Sequence, residues 1–148
     1  MDAGAEIILI EDSKVHFINT HIRGCEQMWH RIQVGFGGEL HFKGDLGSLV
    51  EDGQYAVEAT SGANLLIQNT TFNKNYVGIH VPEPANPVMP QNINLQAPVQ
   101  MNNFTSTGNF LPAYQDQNPV PENITYAGML LHNALGFNVG VNNDPLSI

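Results

Sequence analysis

The chain has 148 residues, of which 42% are hydrophobic, so it can bury a core as one domain and is not a disordered tail. Its formal net charge of −9 leaves no basic surface for nucleic acid or an anionic membrane, and no apolar run reaches the length of a bilayer span. We therefore expect no nucleic-acid partner and no membrane insertion. A polyanionic sugar is disfavoured too, unless a cation bridges the two.

The first residues, MDAGAEIILIEDS, lack the basic region and long apolar core of a signal peptide. The chain is then either cytosolic or an interior piece of a longer protein, and we favour the piece. AEIILIED already has the pattern of a strand in a running coil, and GFNVGVNNDPLSI stops in mid-repeat. We expect Ile8, Ile10 and Val139 or Val141 near uncovered ends of a stack whose neighbours are further coils of a parent chain.

A short apolar strand recurs along the chain at a fixed interval. VHF at 15–17, LHF at 40–42 and LLI at 65–67 follow one another every 25 residues, and VQM at 99–101 is the next copy after a longer gap. A period of 20–50 residues built from short strands is typical of a solenoid. We predict that Val15, Leu40 and Leu65 point inward and stack.

A second strand type recurs between the copies of the first. It comprises RIQV at 31–34, AVEA at 56–59, GIHV at 78–81 and GMLL at 128–131, with central residues Ile32, Val57, Ile79 and Met129. The two series predict an all-β, right-handed parallel β-helix over 1–148, with about five coils of 22–25 residues and three short sheets. A β-sandwich or jelly roll is the rival fold, but it would show hairpin turns and no fixed repeat.

Several residues are assigned to corners and to the core. Asn19, Asn69 and Asn103 follow strands and are expected to form an amide ladder between coils. The acidic pairs at 11–12 and 51–52 precede repeats and are interpreted as turn residues. Cys25 has no cysteine partner, and we expect it to be a small buried apolar residue.

Proline-rich segments break the repeat between Pro82 and Glu122, which contains eight of the nine prolines. Proline has no amide donor for a strand ladder, so 82–98 and 105–122 are predicted as loops that leave the solenoid. Such insertions on one face of a repeat protein are either binding surfaces or tolerated decoration.

Polar residues of the second strand type form a candidate site on one outer face. Gln33, Glu58 and His80 occupy equivalent outward positions, and Arg31, Ala56 and Gly78 form the neighbouring column. Glu58, His80 and Arg31 are the catalytic candidates, but a glycoside hydrolase needs two carboxyl groups about 5–10 Å apart. We expect no second carboxylate within reach of Glu58, and so a polar binding face.

Two further columns are candidates for ligands. His16 and His41 are neighbours one coil apart and could hold a metal, but two ligands make an incomplete site and a stacked polar pair is the simpler interpretation. Calcium would fit a lyase of this fold, but the chain has no calcium motif, so we expect no cofactor. Trp29, Tyr76 and Tyr126 align with Gln54 between them, either as a sugar-stacking column or as packing.

The repeat phrases resemble those of β-helix proteins with the pectin lyase-like fold that Bacteroidota secrete. The similarity rests on Cys25, Met28, Trp29 and Ile32, on the Gly-Gly turn at 37–38, and on the phrases EDGQYAV and FNKNYVGI. It covers nearly the whole chain, with Arg31 standing where glycine is common. The resemblance implies export to the outside of the cell through type IX secretion, with the signal and sorting segments outside this sequence.

The sequence therefore predicts an extracellular or cell-surface module with a binding, adhesive or structural role. Its expected partner is a polysaccharide or cell-surface glycan, with Gln33, Glu58, His80, Trp29, Tyr76 and Tyr126 as candidate contacts. The alternative is a polysaccharide lyase or glycoside hydrolase whose catalytic residues lie partly outside this chain. We favour binding over catalysis because only one carboxylate is placed on the candidate face.

Overall fold

The computed structural model describes residues 1–85, 91–97, 102–114 and 124–139. Within these ranges the chain forms fourteen β-strands in three sheets, and every strand pairing is parallel. The described residues contain no helix that is long and apolar enough to cross a bilayer.

Successive strands are assigned to the three sheets in turn. The first sheet contains β1 (Glu6–Leu9), β4 (Trp29–Val34), β7 (Gly53–Ala59), β10 (Val77–Val81) and β13 (Ala127–Leu131). The second contains β2 (Lys14–Ile18), β5 (Glu39–Lys43), β8 (Asn64–Ile67), β11 (Gln91–Ala97) and β14 (Ala134–Val139). The third contains β3 (His21–Ile22), β6 (Ser48–Glu51), β9 (Thr70–Asn73) and β12 (Asn102–Thr105).

This order winds the chain into a parallel β-solenoid, so the predicted fold class is confirmed. The described residues supply five strands to each of the first two sheets and four to the third, so the winding covers most of the five coils expected. The turns from β1 to β9 follow one another directly. After β10 the connections lengthen, because the proline-rich segments separate the strands that extend each sheet.

The apolar repeat forms the core that the spacing predicted. Val15 pairs with Leu40 and Leu40 with Leu65, while Ile79 pairs with both Val57 and Met129. These side chains line the inside of the coil, and most are fully buried. A single coil could not bury this surface, so each turn depends on its neighbours for its apolar contacts.

A β-bulge in the first sheet changes the register that uniform spacing predicts. Arg31 pairs with Tyr55 but Gln33 pairs with Glu58, so Ala56 and Val57 together face Ile32. Ala56 is therefore fully buried and does not stand outward beside Arg31, and Gly78 is buried as well. The prediction that Ala56 and Gly78 share an outward column with Arg31 is therefore wrong, because Tyr55 and Val77 occupy the positions in register with Arg31.

Asn19 and Asn69 do stabilise the corners, but they hydrogen-bond to the backbone of an adjacent coil. Asn69 Nδ2 donates to Gly44 O at 2.8 Å, and Asn19 Oδ1 accepts from Leu46 N at 3.1 Å. Gly44 stands between the two asparagines in the repeat, and a Cβ there would lie 2.0 Å from Asn19 Oδ1. Both asparagines have positive φ, a conformation that asparagine tolerates better than most residues.

The prediction for Asn103 is wrong. It lies in β12 opposite Thr71, and the neighbouring Asn102 makes the bridging hydrogen bonds. Asn102 Oδ1 accepts from Thr70 N at 3.1 Å, and its Nδ2 donates to Ile67 O at 2.8 Å.

The acidic pairs are turn residues only in part. Glu11, Asp12 and Asp52 have positive φ, as residues in tight turns do. Glu51 instead ends β6, where it forms an ion pair with His21 at 3.0 Å.

The proline-rich region contains a strand that the loop prediction missed. β11 falls inside 82–98 and pairs with β8, with Leu95 beside Leu65. Leu95 therefore takes the place that was assigned to the copy at 99–101. Residues 99–101 themselves lie outside the described residues. The second predicted loop, 105–122, is described as far as residue 114. This part contacts the solenoid, because Met28 N donates to Pro112 O at 2.9 Å.

Three further expectations concern exposure. Cys25 is exposed, so the prediction that it is buried is wrong. Ile8 and Ile10, which were predicted near an uncovered end of the stack, are both exposed, but Ile8 pairs with Gln33 and thus lies in an outward column of the first sheet. The side chain of Val139 and all of Val141 lie outside the described residues.

Candidate functional site

The outer face of the first sheet brings together the polar residues that the repeat aligned. Gln33 pairs with Glu58 and Glu58 with His80, so these three side chains occupy one column across adjacent strands. Arg31 contacts this column from β4. We call this surface the charged face, and define it by Glu6, Arg31, Gln33, Glu58 and His80.

Glu58 is the centre of the charged face. Its side chain is only 6% exposed, and Arg31 Nη1 donates to Oε1 at 2.6 Å while His80 Nδ1 lies 2.9 Å from Oε2. Burial raises the pKa of Glu58, but the hydrogen bond from His80 and the charge of Arg31 outweigh it, and the pKa falls below its ordinary value. Glu58 is therefore an ionised acceptor whose two oxygens are already engaged.

A second carboxylate lies at the same arginine. Glu6 Oε1 is 3.6 Å from Arg31 Nη2, and Glu6 also hydrogen-bonds to His30 Nδ1. The prediction that no second carboxylate lies within reach of Glu58 did not consider Glu6, which shares the Arg31 guanidinium with Glu58. The signal was present in the sequence, because Glu6 pairs with Arg31 at the same interval of 25 residues that relates the other strands.

Aromatic rings border the charged face. The ring of Tyr55 stacks on His80, with centroids 4.4 Å apart and planes inclined by 18°. The ring of Tyr114 packs edge-on against His30 at 5.9 Å. Burial, and then the negative charge of Glu58, raise the pKa of Tyr55, so its hydroxyl stays protonated at neutral pH. Sequence reasoning missed Tyr55 because the bulge moves it outward beside Arg31.

The aromatic column predicted from Trp29, Tyr76 and Tyr126 is only partly formed. Tyr76 and Tyr126 stack with centroids 5.5 Å apart, and Tyr126 is exposed. Trp29 is fully buried, pairs with Gly53 rather than Gln54, and donates from Nε1 to Glu51 O at 2.7 Å. Trp29 is therefore a core residue and is not available to a ligand, and Gln54 is buried too.

The histidine column lies on the second sheet. His16 pairs with His41 and their rings stack with centroids 4.6 Å apart, as the spacing predicted. The structure adds a third donor, Glu39, whose Oε1 lies 2.7 Å from His41 Nε2. Sequence reasoning missed Glu39, although it stands two residues before His41 on the same side of β5.

Comparison of the chain with protein-family models, with curated proteins and with solved structures finds no match. The structure has the parallel β-helix fold that the sequence resemblance implied.

Proposed function

We propose that the charged face binds a glycan, and that the protein is a binding or adhesive module. The observation that carries this proposal is the fixed arrangement around Glu58, which is held between Arg31 and His80 beside the stacked ring of Tyr55. Sugars present hydroxyl groups that hydrogen-bond to carboxylates, amides and guanidinium groups. Their apolar ring faces pack on aromatic side chains.

The charged face is also ordered before any ligand arrives. Glu58, Arg31 and His80 hold one another, so little side-chain freedom is lost when a ligand contacts them. Parallel strands repeat about every 4.8 Å, which gives the face the form of a row across several coils. A row of this kind suits an extended oligosaccharide better than a compact ligand.

The charge of the protein favours a neutral glycan. The net charge is −9, and Glu58 and Glu6 place two carboxylates on the proposed binding surface. The lowered pKa of Glu58 keeps its charge at neutral pH. A polyanionic sugar would meet this negative field at close range.

Polysaccharide cleavage is the second candidate, because Glu6 and Glu58 both contact Arg31. Glycosidases use two carboxyl groups that flank the scissile bond, one of them protonated to act as the acid. The environment of Glu58 opposes that role, since its pKa is lowered rather than raised. We prefer binding because Arg31 and His80 already engage both oxygens of Glu58, which leaves neither oxygen free to attack a sugar or to activate a water.

A glycan array probed with the tag-free protein tests the proposal. We expect selective retention on neutral oligosaccharides that is lost in Tyr55→Ala and Glu58→Gln. The matched control His21→Gln changes an exposed histidine of the third sheet and should bind normally. Retention that is unchanged in both charged-face variants would contradict the proposal.

A parallel assay for reducing ends and unsaturated products separates the two candidates. We expect no product from any glycan that the array selects. Product formation by the wild type that disappears in Glu58→Gln and Glu6→Gln would establish the enzyme instead.

We further propose that this binding takes place outside the cell, in a protein exported by the type IX route of Bacteroidota. Its support is the resemblance of phrases such as EDGQYAV to exported β-helix proteins. Fractionation of cells that express the native gene should place the protein at the outer surface or in the medium. Recovery in the cytoplasm alone would contradict this location.

A further inference from the structure

The outer face of the second sheet carries a cluster of donor atoms that the glycan proposal does not use. His16 and His41 pair directly across β2 and β5, and Glu39 stands on β5 beside them. One nitrogen of each histidine and one carboxylate oxygen all lie within 4.8 Å of one another. We propose that this histidine face, defined by His16, Glu39 and His41, binds a divalent transition-metal ion such as Zn²⁺.

The donor set suits zinc and does not suit calcium. Two imidazoles with one carboxylate are a familiar zinc ligand set that leaves a fourth position open. Calcium prefers a larger number of oxygen ligands, which this cluster does not offer. The negative net charge of the protein adds a general attraction for cations.

Binding requires only local side-chain movement. The two rings are nearly parallel, at 13°, so the exposed ring of His16 has to tilt for the two nitrogens to converge on one ion. Lys14 Nζ, 2.6 Å from Glu39 Oε1, has to give way. Lys14 is half exposed, and exposed ion pairs of this kind hold weakly. The paired backbones of β2 and β5 keep the two histidines adjacent throughout.

A cleft beside the cluster leaves room at the open coordination position. Its volume is about 390 Å³, and Glu39 and His41 form part of its wall. A water molecule or a small anionic ligand could complete the metal shell from this side. The remaining lining residues come from β8 and β11: Asn64, Leu65, Leu66 and Asn94.

Titration of the tag-free protein with Zn²⁺ by calorimetry tests the proposal. We expect one ion per chain, with affinity weakened at least tenfold in His16→Gln, His41→Ala and Glu39→Gln. Loss of an outer-shell partner alone typically weakens metal binding 10- to 100-fold, and these are direct ligands. His21→Gln, an exposed histidine that also faces a glutamate, should bind as the wild type does.

Three results would overturn the proposal. They are the absence of Zn²⁺ binding, equal binding in all three ligand variants, and equal weakening in His21→Gln. Thermal melts without metal check that the variants fold, and His16→Gln decides the question if His41→Ala does not. The histidine face lies on a different sheet from the charged face, so the metal proposal and the glycan proposal can fail independently.

Discussion

The charged face and the histidine face arise from the same parallel register but differ in how much water reaches them. On the charged face the side chains of Glu58 and His80 are 6% and 12% exposed. On the histidine face Glu39 and its partner Lys14 are 31% and 49% exposed. The centre of the first surface is a shielded network around Glu58, and the second surface is more open to solvent.

Two local features of the chain produce this difference. The bulge at Ala56 and Val57 turns Tyr55 outward onto His80, and Tyr114 packs against His30. The second sheet pairs without a bulge between β2, β5 and β8, so its columns stand open to solvent. A repeat therefore fixes which residues are neighbours, while a single inserted residue or a returning loop decides how deeply they are buried.

The charged face and the histidine face are held by one shared core, so a defect in that core should destabilise both. Val57→Asp tests this and has the largest expected effect on the free energy of unfolding. The substitution places an unpaired charge in a fully buried position of the bulge. We expect the free energy of unfolding to fall by more than about 4 kcal/mol. Chemical denaturation followed by Trp29 fluorescence measures the loss. A loss below about 1 kcal/mol would mean that Val57 is not packed as described.

Asn75→Ala tests a buried corner between the third and the first sheet. Asn75 Oδ1 accepts from Gly53 N and its Nδ2 donates to Val50 O, both at 2.8 Å. Removing the amide leaves two buried backbone groups unpaired, at about 1–3 kcal/mol for each. The matched control is Asn64→Ala on the second sheet, where the amide pairs with exposed Asn94. Equal destabilisation of the two variants, measured by urea denaturation, would contradict the difference in burial.

Glu58→Gln, together with Glu39→Gln as its control, compares how the two faces contribute to the pH dependence of the free energy of unfolding. We expect a loss of about 1.5–3 kcal/mol at neutral pH, since hydrogen bonds to a buried charge are removed. The pKa of Glu58 is lowered on folding, so its contribution is present above its unfolded pKa and is lost as the pH falls through the folded pKa. The stabilities of the wild type and the variant should therefore converge below the ordinary value of 4.5.

The control for this experiment is Glu39→Gln on the histidine face. Glu39 is ion-paired with an exposed lysine, and solvent screens that pair. Little change in stability is expected at any pH. A gap between the wild type and Glu58→Gln that widens toward low pH would show that the sign derived for Glu58 is wrong.

The regular interval of the sequence correctly predicted which residues of stacked coils are neighbours, since that depends on spacing alone. It placed Leu40 beside Leu65 and His16 beside His41, because equivalent residues of stacked coils share a register. The bulge was not apparent from the interval of 25 residues, since that interval holds after the bulge, from Gln33 and Glu58 onward, and only the residues before it are shifted by one. Trp29 and Ala56 were misplaced by one position for that reason.

Other omissions have different physical causes. Glu6 and Glu39 could have been found, as repeat spacing aligns Glu6 with Arg31 and alternation places Glu39 beside His41. Tyr114 could not, because its packing on His30 depends on the path of a proline-rich segment that has no repeat. β11 was missed because its strand begins between prolines and is offset from the interval of 25 residues.

The central claim is that the two faces are separate binding surfaces on one solenoid, and an NMR titration tests it most directly. The protein labelled with ¹⁵N receives a neutral oligosaccharide selected on the array, and its amide shifts are followed residue by residue. The account predicts that shifts concentrate around Arg31, Tyr55 and Glu58, while the amides around His16 and His41 stay in place. Shifts centred on the second sheet, or none at saturating sugar, would contradict it.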